Sequence, residues 1–391
     1  MPTTLKDEAV IAGIGQTEFS KNSGRSELQL ACEAVKAALD DCGLPPSKVD
    51  GLVTFSMDTN DEVEVAQAVG CGDLTFYSRI PYGGGAAIGV IQQAAMAVAT
   101  GVADYVVVYR AFNERSGRRY SVGIGEGIVT ADLIHWSWYL PFGLLTPASW
   151  VAMFTQRYMH EYGLRGEDLA HVAVSTRKHA VNNPNAFFYG KELTVAEHMA
   201  SRFIAEPLRL FDCCQESDGG SAVIVTTPER ARDLKQPGVS VRGVAQCAGE
   251  NQEQMTSFYR EEFAGIPEME RAAQNVYAMS GLSADDIDAA VIYDAFSPIV
   301  LWQLEAWGFC GFGESGDFVK DGALRSNGRL PTNTHGGQLS EAYIHGVNGI
   351  VEATRLVRGT SVNQPAKTVN HALVTSGVGI PTGGAILGRM R

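Results

Sequence analysis

The sequence predicts an α/β protein built from two similar halves, and three observations support this fold class. Segments with strand character alternate with segments of helical character along the chain, an order typical of parallel-rich sheets covered on both faces by helices. The same strand and helix pattern occurs twice. With 391 residues, 45% of them hydrophobic, the chain can bury one large core or two medium ones.

The first half alternates strands and helices in a regular order. Its predicted elements are a strand at 8–15, a helix at 28–41, a strand at 49–55, a helix at 82–100 and a strand at 105–109. Ser26, with Gln29 three residues later, predicts a capping box at the start of the first helix. Gly43 is expected to end that helix.

The second half repeats this order. Its predicted elements are a strand at 239–245, a helix at 269–279, a strand at 287–293, a helix at 344–357 and an apolar stretch from 372. Gly43-Leu44 precedes Val49-Asp50 by the same offset that separates Gly281-Leu282 from Ile287-Asp288. Equal offsets inside matching patterns predict an internal duplication.

These patterns set the predicted domain organisation. We expect an N-terminal half at 1–236 and a C-terminal half at 237–391. Residues 115–206, rich in aromatics and glycine, interrupt the first half. We predict that they form an inserted loop domain or lid, because an insertion of this length in a compact unit is usually functional.

Composition excludes several classes of protein. The net charge of −13 disfavours nonspecific nucleic-acid binding, which needs a basic face. A small anionic ligand such as coenzyme A needs only a local basic cluster and stays possible. The polar start and the absence of long apolar runs predict a cytoplasmic protein without a membrane span. Seven cysteines without a CxxC pair predict free thiols and no metal site.

Four segments carry a resemblance to a known family. They are 177–184 (RKHAVNNP), 212–222 (DCCQESDGGSA), 293–297 (YDAFS) and 333–349, which contains Gly336-Gly337. Each is similar to a conserved loop of thiolases of the sterol-carrier-protein type, and they occur in the same order. The resemblance covers essentially the whole chain. It implies the thiolase fold, with duplicated halves in a five-layered αβαβα arrangement, and a homodimer.

The departures from the family pattern fall on the chemistry. A thiolase attacks a thioester with a cysteine at the start of a buried helix. Matching the glycine run without a gap places Tyr82 at that cysteine, and a slip of one residue places Gly83 there. Tyr293 occupies the position of a catalytic histidine. The resemblance therefore implies a scaffold that has lost covalent catalysis.

The last loop also replaces a catalytic histidine. Two matching glycines, Gly346 and Gly349, place Tyr343 at the histidine of the family motif. His345 matches only after a shift of two residues that breaks both glycine matches. We therefore predict that Tyr343, and not His345, takes this position.

A thiolase-like protein with these tyrosines resembles the lipid-transfer-protein-like aldolases of bacterial steroid side-chain degradation. The resemblance implies retro-aldol cleavage of a β-hydroxyacyl-CoA. For a 17-hydroxy steroid 20-carboxyl-CoA the implied products are a 17-ketosteroid and propionyl-CoA. Coenzyme A is part of the substrate, so no separate cofactor is expected. The implied partner is a small OB-fold protein or domain, sometimes fused to a hydratase subunit.

A retro-aldol step needs a base, an acid and an oxyanion site, but no covalent intermediate. Tyr293 and Tyr343 are the predicted acid/base pair without a division of roles, and Asp294 is the third candidate catalytic residue, either reacting or orienting its loop. The predicted substrate-binding residues are Tyr82, Gly83, His335, Gly346, Ser376 and Gly379. The predicted contacts to coenzyme A phosphates are Arg115, Arg118 and Arg119.

Two other functions fit the same sequence. The chain retains thiolase chemistry if Cys310 or Cys71 supplies an unexpected nucleophile. It is a non-catalytic acyl-CoA or lipid carrier, or a subunit of a larger complex, if the missing cysteine marks a lost activity. Alkylation of thiols and Tyr→Phe substitutions distinguish these alternatives from an aldolase.

Overall fold

A computed structural model describes residues 5–81, 83–117, 119, 137–252, 258, 260–261 and 263–390. The strands are β1 (Val10–Gln16), β2 (Gly51–Phe55), β3 (Phe76–Ile80), β4 (Tyr105–Asn113), β5 (Phe203–Ala205), β6 (Leu208–Arg209), β7 (Asp218–Thr226), β8 (Val239–Cys247), β9 (Ala289–Val291), β10 (His371–Ser376) and β11 (Thr382–Arg389).

Helices alternate with most of these strands. They are α1 (Glu27–Cys42), α2 (Glu62–Val69), α3 (Ala86–Ala99), α4 (Pro147–Tyr162), α5 (Gly166–Asn182), α6 (Val195–Ala200), α7 (Pro228–Ala231), α8 (Pro267–Ser280), α9 (Ser297–Ala306), α10 (Ser315–Phe318) and α11 (Val347–Arg358). A single π-helical turn, Gly337–Glu341, precedes α11.

Nine strands pair in the order β3-β2-β4-β7-β1-β8-β11-β10-β9. The sheet is mixed, which differs from the parallel-rich sheet predicted from alternation. The reason is that each half closes with a returning strand: β7 runs antiparallel to β4 and β1, and β11 runs antiparallel to β10 and β8. The halves meet at β1 and β8, whose pairing covers two residue pairs.

The helices build the predicted five layers. Helices α3 and α11 lie in the middle, since each contacts strands of both halves. Helix α1 packs outside β1, β4 and β7, and α8 packs outside β8 and β11. The largest buried apolar cluster joins α3 and α11 to both sets of strands. The αβαβα arrangement is therefore confirmed, with its main core around the two central helices.

The two halves share two local features, a left-handed glycine at a helix end and an aspartate that accepts backbone N–H groups at a strand start. Helices α1 and α8 both end at a left-handed glycine, Gly43 with φ 71° and Gly281 with φ 72°, the conformation that glycine adopts at helix ends. The Asp50 carboxylate accepts two backbone N–H groups at the start of β4, at 2.9 Å each. Asp288 accepts two at the start of β10, at 2.8 and 3.1 Å. This shared hydrogen bonding supports the duplication, and the division at 236/237, which lies between α7 and β8, stays a prediction.

Only one of the two hydrogen bonds of the predicted capping box at α1 is formed. The Ser26 hydroxyl accepts the Gln29 backbone N–H at 3.1 Å, as expected. The Gln29 side chain does not return to the cap and instead donates to Glu33 at 2.8 Å. Because this helix start is exposed to solvent, the Gln29 side chain can bond Glu33 one turn further along the helix as readily as the Ser26 backbone.

The predicted insertion contributes α4, α5 and α6, and α5 braces the π-helical turn. Arg177 Nε donates to the Ser340 hydroxyl at 3.0 Å. Asn183 Nδ2 donates to the His335 carbonyl at 2.9 Å and to Glu341 Oε1 at 3.0 Å. The insertion thus fixes the loop that leads into Tyr343.

Across the described ranges of the chain, no helix is both long enough and apolar enough to cross a bilayer.

The repeated aspartates predict matched losses of stability. Asp50→Ala and Asp288→Ala each leave two strand-start N–H groups without their acceptor, so each is expected to lower the free energy of unfolding by about 1–3 kcal/mol. The exposed Asp40 in α1 is the control, and Asp40→Ala should change it by less than about 0.5 kcal/mol. Chemical denaturation of the three variants measures the difference. Equal effects at all three positions would contradict the assigned role.

Candidate active site

Tyr293 follows β9, and its backbone is held on both sides. The Tyr293 N–H donates to Thr375 Oγ1 at 3.0 Å, and its carbonyl accepts Gln303 Nε2 at 2.7 Å. Thr375 Oγ1 in turn donates to Gln303 Oε1 at 2.5 Å. This closed set of hydrogen bonds, all buried, fixes the direction in which the Tyr293 ring leaves the sheet.

Tyr343 approaches from the loop between the π-helical turn and α11. Its N–H donates to the Gln215 carbonyl at 3.1 Å, and its ring stands edge-on to His345, with centroids 4.9 Å apart. The hydroxyls of Tyr293 and Tyr343 lie 3.0 Å apart, within hydrogen-bond distance. Two tyrosines 50 residues apart therefore form one pair.

The environment keeps both phenols protonated. Burial raises the pKa of Tyr293 well above its ordinary value of 10, and the hydrogen bond with Tyr343 opposes this only in part. Burial also raises the pKa of Tyr343 well above 10, and the neighbouring Tyr293 adds to this. At neutral pH the pair consists of two neutral hydroxyls, one donating to the other.

The start of α3 lies directly against this pair. A Cβ added to Gly84 would overlap the Tyr293 hydroxyl, and one added to Gly83 would lie 3.0 Å from His345 Nε2. The glycine run therefore permits close approach of the helix start to the phenols. Ser376, a predicted substrate-binding residue, donates to the Gly85 carbonyl at 2.8 Å and accepts the Ile88 N–H at 3.2 Å. It anchors this helix start.

Asp294 directly follows Tyr293 and is buried. Its carboxyl accepts the N–H groups of Gln338 at 2.7 Å and Leu339 at 3.3 Å, so it holds the π-helical turn. Burial raises the pKa of Asp294 to about 7. This geometry favours the orienting role of the two that the sequence left open. His335 and Gly346 border the same small internal cavity as Tyr293 and Asp294.

A buried polar network contacts Tyr343 through His345. The Arg110 guanidinium donates through Nε to His345 Nδ1 at 3.0 Å and through another nitrogen to Asp58 at 2.9 Å. Because arginine always carries its protons, His345 Nδ1 is the acceptor and the ring proton sits on Nε2. Burial and the charge of Arg110 lower the pKa of His345 well below 6.5. His345 is thus a neutral donor on the Gly83 side, although the sequence match did not assign it the position of the catalytic histidine.

The predicted coenzyme A and remaining substrate residues lie at several places. Tyr82 and Arg118 fall outside the described residues. Arg119 forms an ion pair with Glu216 at 2.6 Å, and Arg115 donates its backbone N–H to Asp218 at 2.9 Å. The Gly379 carbonyl accepts Gln252 Nε2 at 2.7 Å. The assignments of all these residues stay predictions.

The candidate nucleophilic thiols are not activated. Burial raises the pKa of Cys71 to about 11 and that of Cys310 to about 12, so little thiolate forms at neutral pH. Cys71 packs against the apolar cluster under α1 and α2, and Cys310 follows α9. All seven cysteines are free, as predicted. Among the described residues there is no group of histidine, cysteine and carboxylate side chains that could hold a metal.

The fold and the site define a class: a thiolase-like protein with a buried pair of hydrogen-bonded phenols, Tyr293 and Tyr343. The family described as Thiolase C-terminal domain-like matches residues 249–389. The steroid side-chain-cleaving aldolase of Thermomonospora curvata is 61% identical over 394 residues, which covers 100% of both chains. The 17-hydroxy-3-oxo-4-pregnene-20-carboxyl-CoA lyase of Mycobacterium tuberculosis is 57% identical over 386 residues, covering 98% of this chain and 100% of the other.

A solved structure agrees with these relatives. The chain superimposes on the structure described as an Ltp2-ChsH2(DUF35) aldolase with a TM-score of 0.95 and 61% sequence identity, covering 99% of each chain. The chain belongs to the family of steroid side-chain-cleaving aldolases within the thiolase superfamily. The predicted thiolase resemblance and fold are thereby confirmed.

Sequence reasoning also missed three buried charged residues, which are Arg110 and Asp58 of the network above and Glu114. Glu114 directly follows β4 and is buried, and it acts electrostatically on both phenols. The available signal was a pair of charged residues, Arg110 within an apolar strand segment and Glu114 just after it. A charged residue there, facing a core, indicates a functional position.

The contact between α3 and Tyr293 makes Gly84 sensitive to a single methyl group. Gly84→Ala forces the helix start and the tyrosine apart, so it should lower stability by about 1–3 kcal/mol and activity by about 100-fold through the displaced phenol. Gly166 in α5 offers a matched control because an added Cβ meets Met199 at an ordinary 3.4 Å. Thermal melting and turnover are measured on both variants. Full activity in Gly84→Ala would refute the close approach.

Proposed function

We propose that this chain cleaves a 17-hydroxy steroid 20-carboxyl-CoA by a retro-aldol reaction to a 17-ketosteroid and propionyl-CoA. The observation that carries the proposal is the buried Tyr293–Tyr343 hydroxyl pair, 3.0 Å apart. The sequence match assigns these two positions to the thiolase histidines. The names of two relatives at 61% and 57% identity over the full chain support the substrate class.

The reaction requires three events at the site. A base removes the proton of the substrate hydroxyl, and the bond between the hydroxyl-bearing carbon and the thioester α-carbon breaks. The bonding electron pair moves into the thioester as an enolate, while the first carbon becomes a ketone. An acid then protonates the α-carbon and releases the shorter acyl-CoA. Each step moves a proton or an electron pair within the substrate, so no enzyme nucleophile is needed.

The phenol pair fits the proton transfers. One hydroxyl accepts the substrate proton as it passes its own proton along the hydrogen bond between Tyr293 and Tyr343. The second hydroxyl in turn gives its proton to the α-carbon as the carbon–carbon bond breaks, so both tyrosines end neutral and the proton has moved from the substrate hydroxyl to the α-carbon. Positioned acid/base groups of this kind contribute about 10²–10⁴ in rate.

The enolate oxygen has donors close to the pair. The glycine run from Gly83 to Gly85 begins α3, and helix starts present backbone N–H groups and a partial positive charge. His345 Nε2 carries a proton on the Gly83 side. We assign the thioester oxygen to the space between the start of α3 and His345 Nε2. Oxyanion donors of this kind typically stabilise the transition state by a few kcal/mol. Arg115, Arg118 and Arg119 are our candidates for the coenzyme A phosphates.

The proposed assembly has two kinds of partner. Strand β3 forms an edge of the sheet, and Tyr77 on it is exposed. An edge strand offers unpaired backbone groups to a second copy, which supports a homodimer. The structure named as an Ltp2-ChsH2(DUF35) aldolase supports a second, different partner. We propose that this partner is a small OB-fold protein or domain, of the kind sometimes fused to a hydratase subunit, in a heterotetramer.

The tyrosine pair gives the central functional prediction. Tyr293→Phe and Tyr343→Phe should each lower kcat by about 100-fold or more, because each removes one link of the proton path. The co-expressed complex is given the 17-hydroxy steroid 20-carboxyl-CoA without free coenzyme A, and mass spectrometry follows the ketosteroid and propionyl-CoA. Tyr277→Phe is the control, since Tyr277 bonds the Trp307 carbonyl and not the pair.

The alternatives give different results in the same assay. Cleavage that depends on added free coenzyme A and is lost on thiol alkylation would restore a thiolase mechanism. Tight binding of the acyl-CoA without any product, in the presence of the partner, would identify a carrier. An aldolase cleaves without free coenzyme A and keeps its activity after alkylation.

A further inference from the structure

A small internal cavity borders both loops of the candidate active site. It is lined by Tyr293 and Asp294 from the loop after β9, and by His335, Gln338 and Asn348 from the chain on either side of Tyr343. Every residue of the lining is buried. The cavity offers about 10 Å³ to the centre of a water molecule, which is room for one water.

Three residues of this lining each carry a buried polar atom without a hydrogen bond to any residue that the structure describes. The atoms are His335 Nδ1, Gln338 Oε1 and Asn348 Oδ1. The three residues are 3%, 3% and 0% exposed, so bulk solvent cannot bond these atoms instead. A buried polar atom without a partner costs free energy, and cavities that stay empty are apolar ones. Three such atoms around one cavity therefore indicate a bound polar molecule.

The hydrogen-bonding capacity of the three atoms matches one water molecule. Asn348 Nδ2 donates to Glu341 at 2.9 Å and to the Ala342 carbonyl at 3.1 Å, which leaves Asn348 Oδ1 as an acceptor. Gln338 Oε1 is a second acceptor. Burial lowers the pKa of His335 to about 3, so the ring is neutral, and a neutral imidazole can carry its proton on Nδ1. Water has the two donors and the acceptor that this set requires.

A metal cation fits the same atoms poorly. Metal cations of water-like size prefer several oxygen ligands, commonly with carboxylates among them, whereas these atoms are two amide oxygens and an imidazole nitrogen. The Asp294 carboxyl that borders the cavity already accepts the backbone N–H groups of Gln338 and Leu339. The positive charge of Arg355 acts on His335 and disfavours a second positive charge beside it.

The three side chains come from the two ends of the loop that carries Tyr343. His335 lies just before the π-helical turn, and Gln338 lies within it. Asn348 lies in the first turn of α11, after the loop. A molecule bonded to all three side chains joins the start of the loop to its end, and so restrains the residues between them.

We propose that this cavity binds one water molecule, held by His335, Gln338 and Asn348, and that this water positions the Tyr343 loop. The water donates to the two amide oxygens and accepts the Nδ1–H of His335. By joining the ends of the loop it helps to keep the Tyr343 hydroxyl 3.0 Å from that of Tyr293. His335 is then a positioning residue, which differs from the substrate contact that the sequence predicts. The water site is independent of the proposed function, whereas its effect on turnover rests on that function.

A crystal structure of the protein at a resolution that shows ordered water tests the site directly. The proposal predicts a single peak within about 3.2 Å of His335 Nδ1, Gln338 Oε1 and Asn348 Oδ1. An empty cavity would overturn the proposal. A peak closer than about 2.6 Å to several oxygens would identify a cation and would overturn it as well.

His335→Phe tests the positioning role, because it keeps a ring at this place and removes the donor to the water. The variant should lose the water peak, and kcat should fall by about 10-fold or more because Tyr343 is less well positioned. KM should change by less than about 3-fold, since no substrate contact is removed. His335→Asn keeps an N–H donor near the place of Nδ1 and should restore the water peak and part of kcat.

His171→Phe is the matched control. His171 is half-buried on α5 and does not line the cavity, so this variant should keep the water peak and the wild-type kcat. Circular dichroism and thermal melting establish that the variants fold. If His335→Phe does not fold, Gln338→Met, which removes the Oε1 acceptor, is measured in the same way with the same expected result.

Two kinetic results contradict the positioning role. A kcat within about 3-fold of wild type after loss of the water shows that the water does not position Tyr343. A raised KM with an unchanged kcat assigns His335 to substrate binding instead. Product formation by the wild type is measured first. A wild type that holds the water but cleaves nothing would refute the proposed function and the dependence of turnover on the water, and not the water site itself.

Discussion

The hydrogen bond between the Tyr293 and Tyr343 hydroxyls, 3.0 Å long, is the constraint on which the site depends. The two tyrosines come from two separate loops, one directly after β9 and one after the π-helical turn, so both loops must be fixed to hold that distance. Gln303 and Thr375 clamp the first loop, while Asp294 and helix α5 hold the second. The absence of a side chain at Gly84 leaves room for the Tyr293 hydroxyl against α3.

Burial also shifts several titratable groups around the site toward their neutral forms. Burial raises the pKa of Asp294 to about 7 and that of Glu341 to about 8, and it lowers the pKa of His335 to about 3. Carboxyls, phenols and imidazoles there tend toward their uncharged forms. Charge that develops on a substrate alkoxide or enolate then interacts with fixed dipoles in a water-poor space, where such interactions are strong.

Local chemistry made much of the fold predictable. Gly43 and Gly281 end equivalent helices because a left-handed residue is needed there, and the equal spacing to Asp50 and Asp288 indicated the repeat. The motif match brought Tyr293 and Tyr343 together before any geometry was known. These features depend on short stretches of sequence.

The remaining features depend on long-range pairing. The mixed sheet follows from β7 and β11 returning between earlier strands, which alternation of elements cannot reveal. His345 joins the site because a left-handed backbone, φ 48°, turns its ring toward Arg110. The environment of Glu114 is set by segments about 100 residues and more further along the chain. No local pattern encodes such neighbours.

A double-mutant cycle on Tyr293 and Tyr343 tests the central claim most directly, with kcat for cleavage measured in the wild type, both Tyr→Phe single variants and the double variant. If the phenols act as one proton path, either substitution breaks it, and the double variant should be no slower than the slower single variant by more than about 3-fold. Additive losses, with the double variant slower by the product of both single effects, would show that the hydroxyls act independently and would contradict the account.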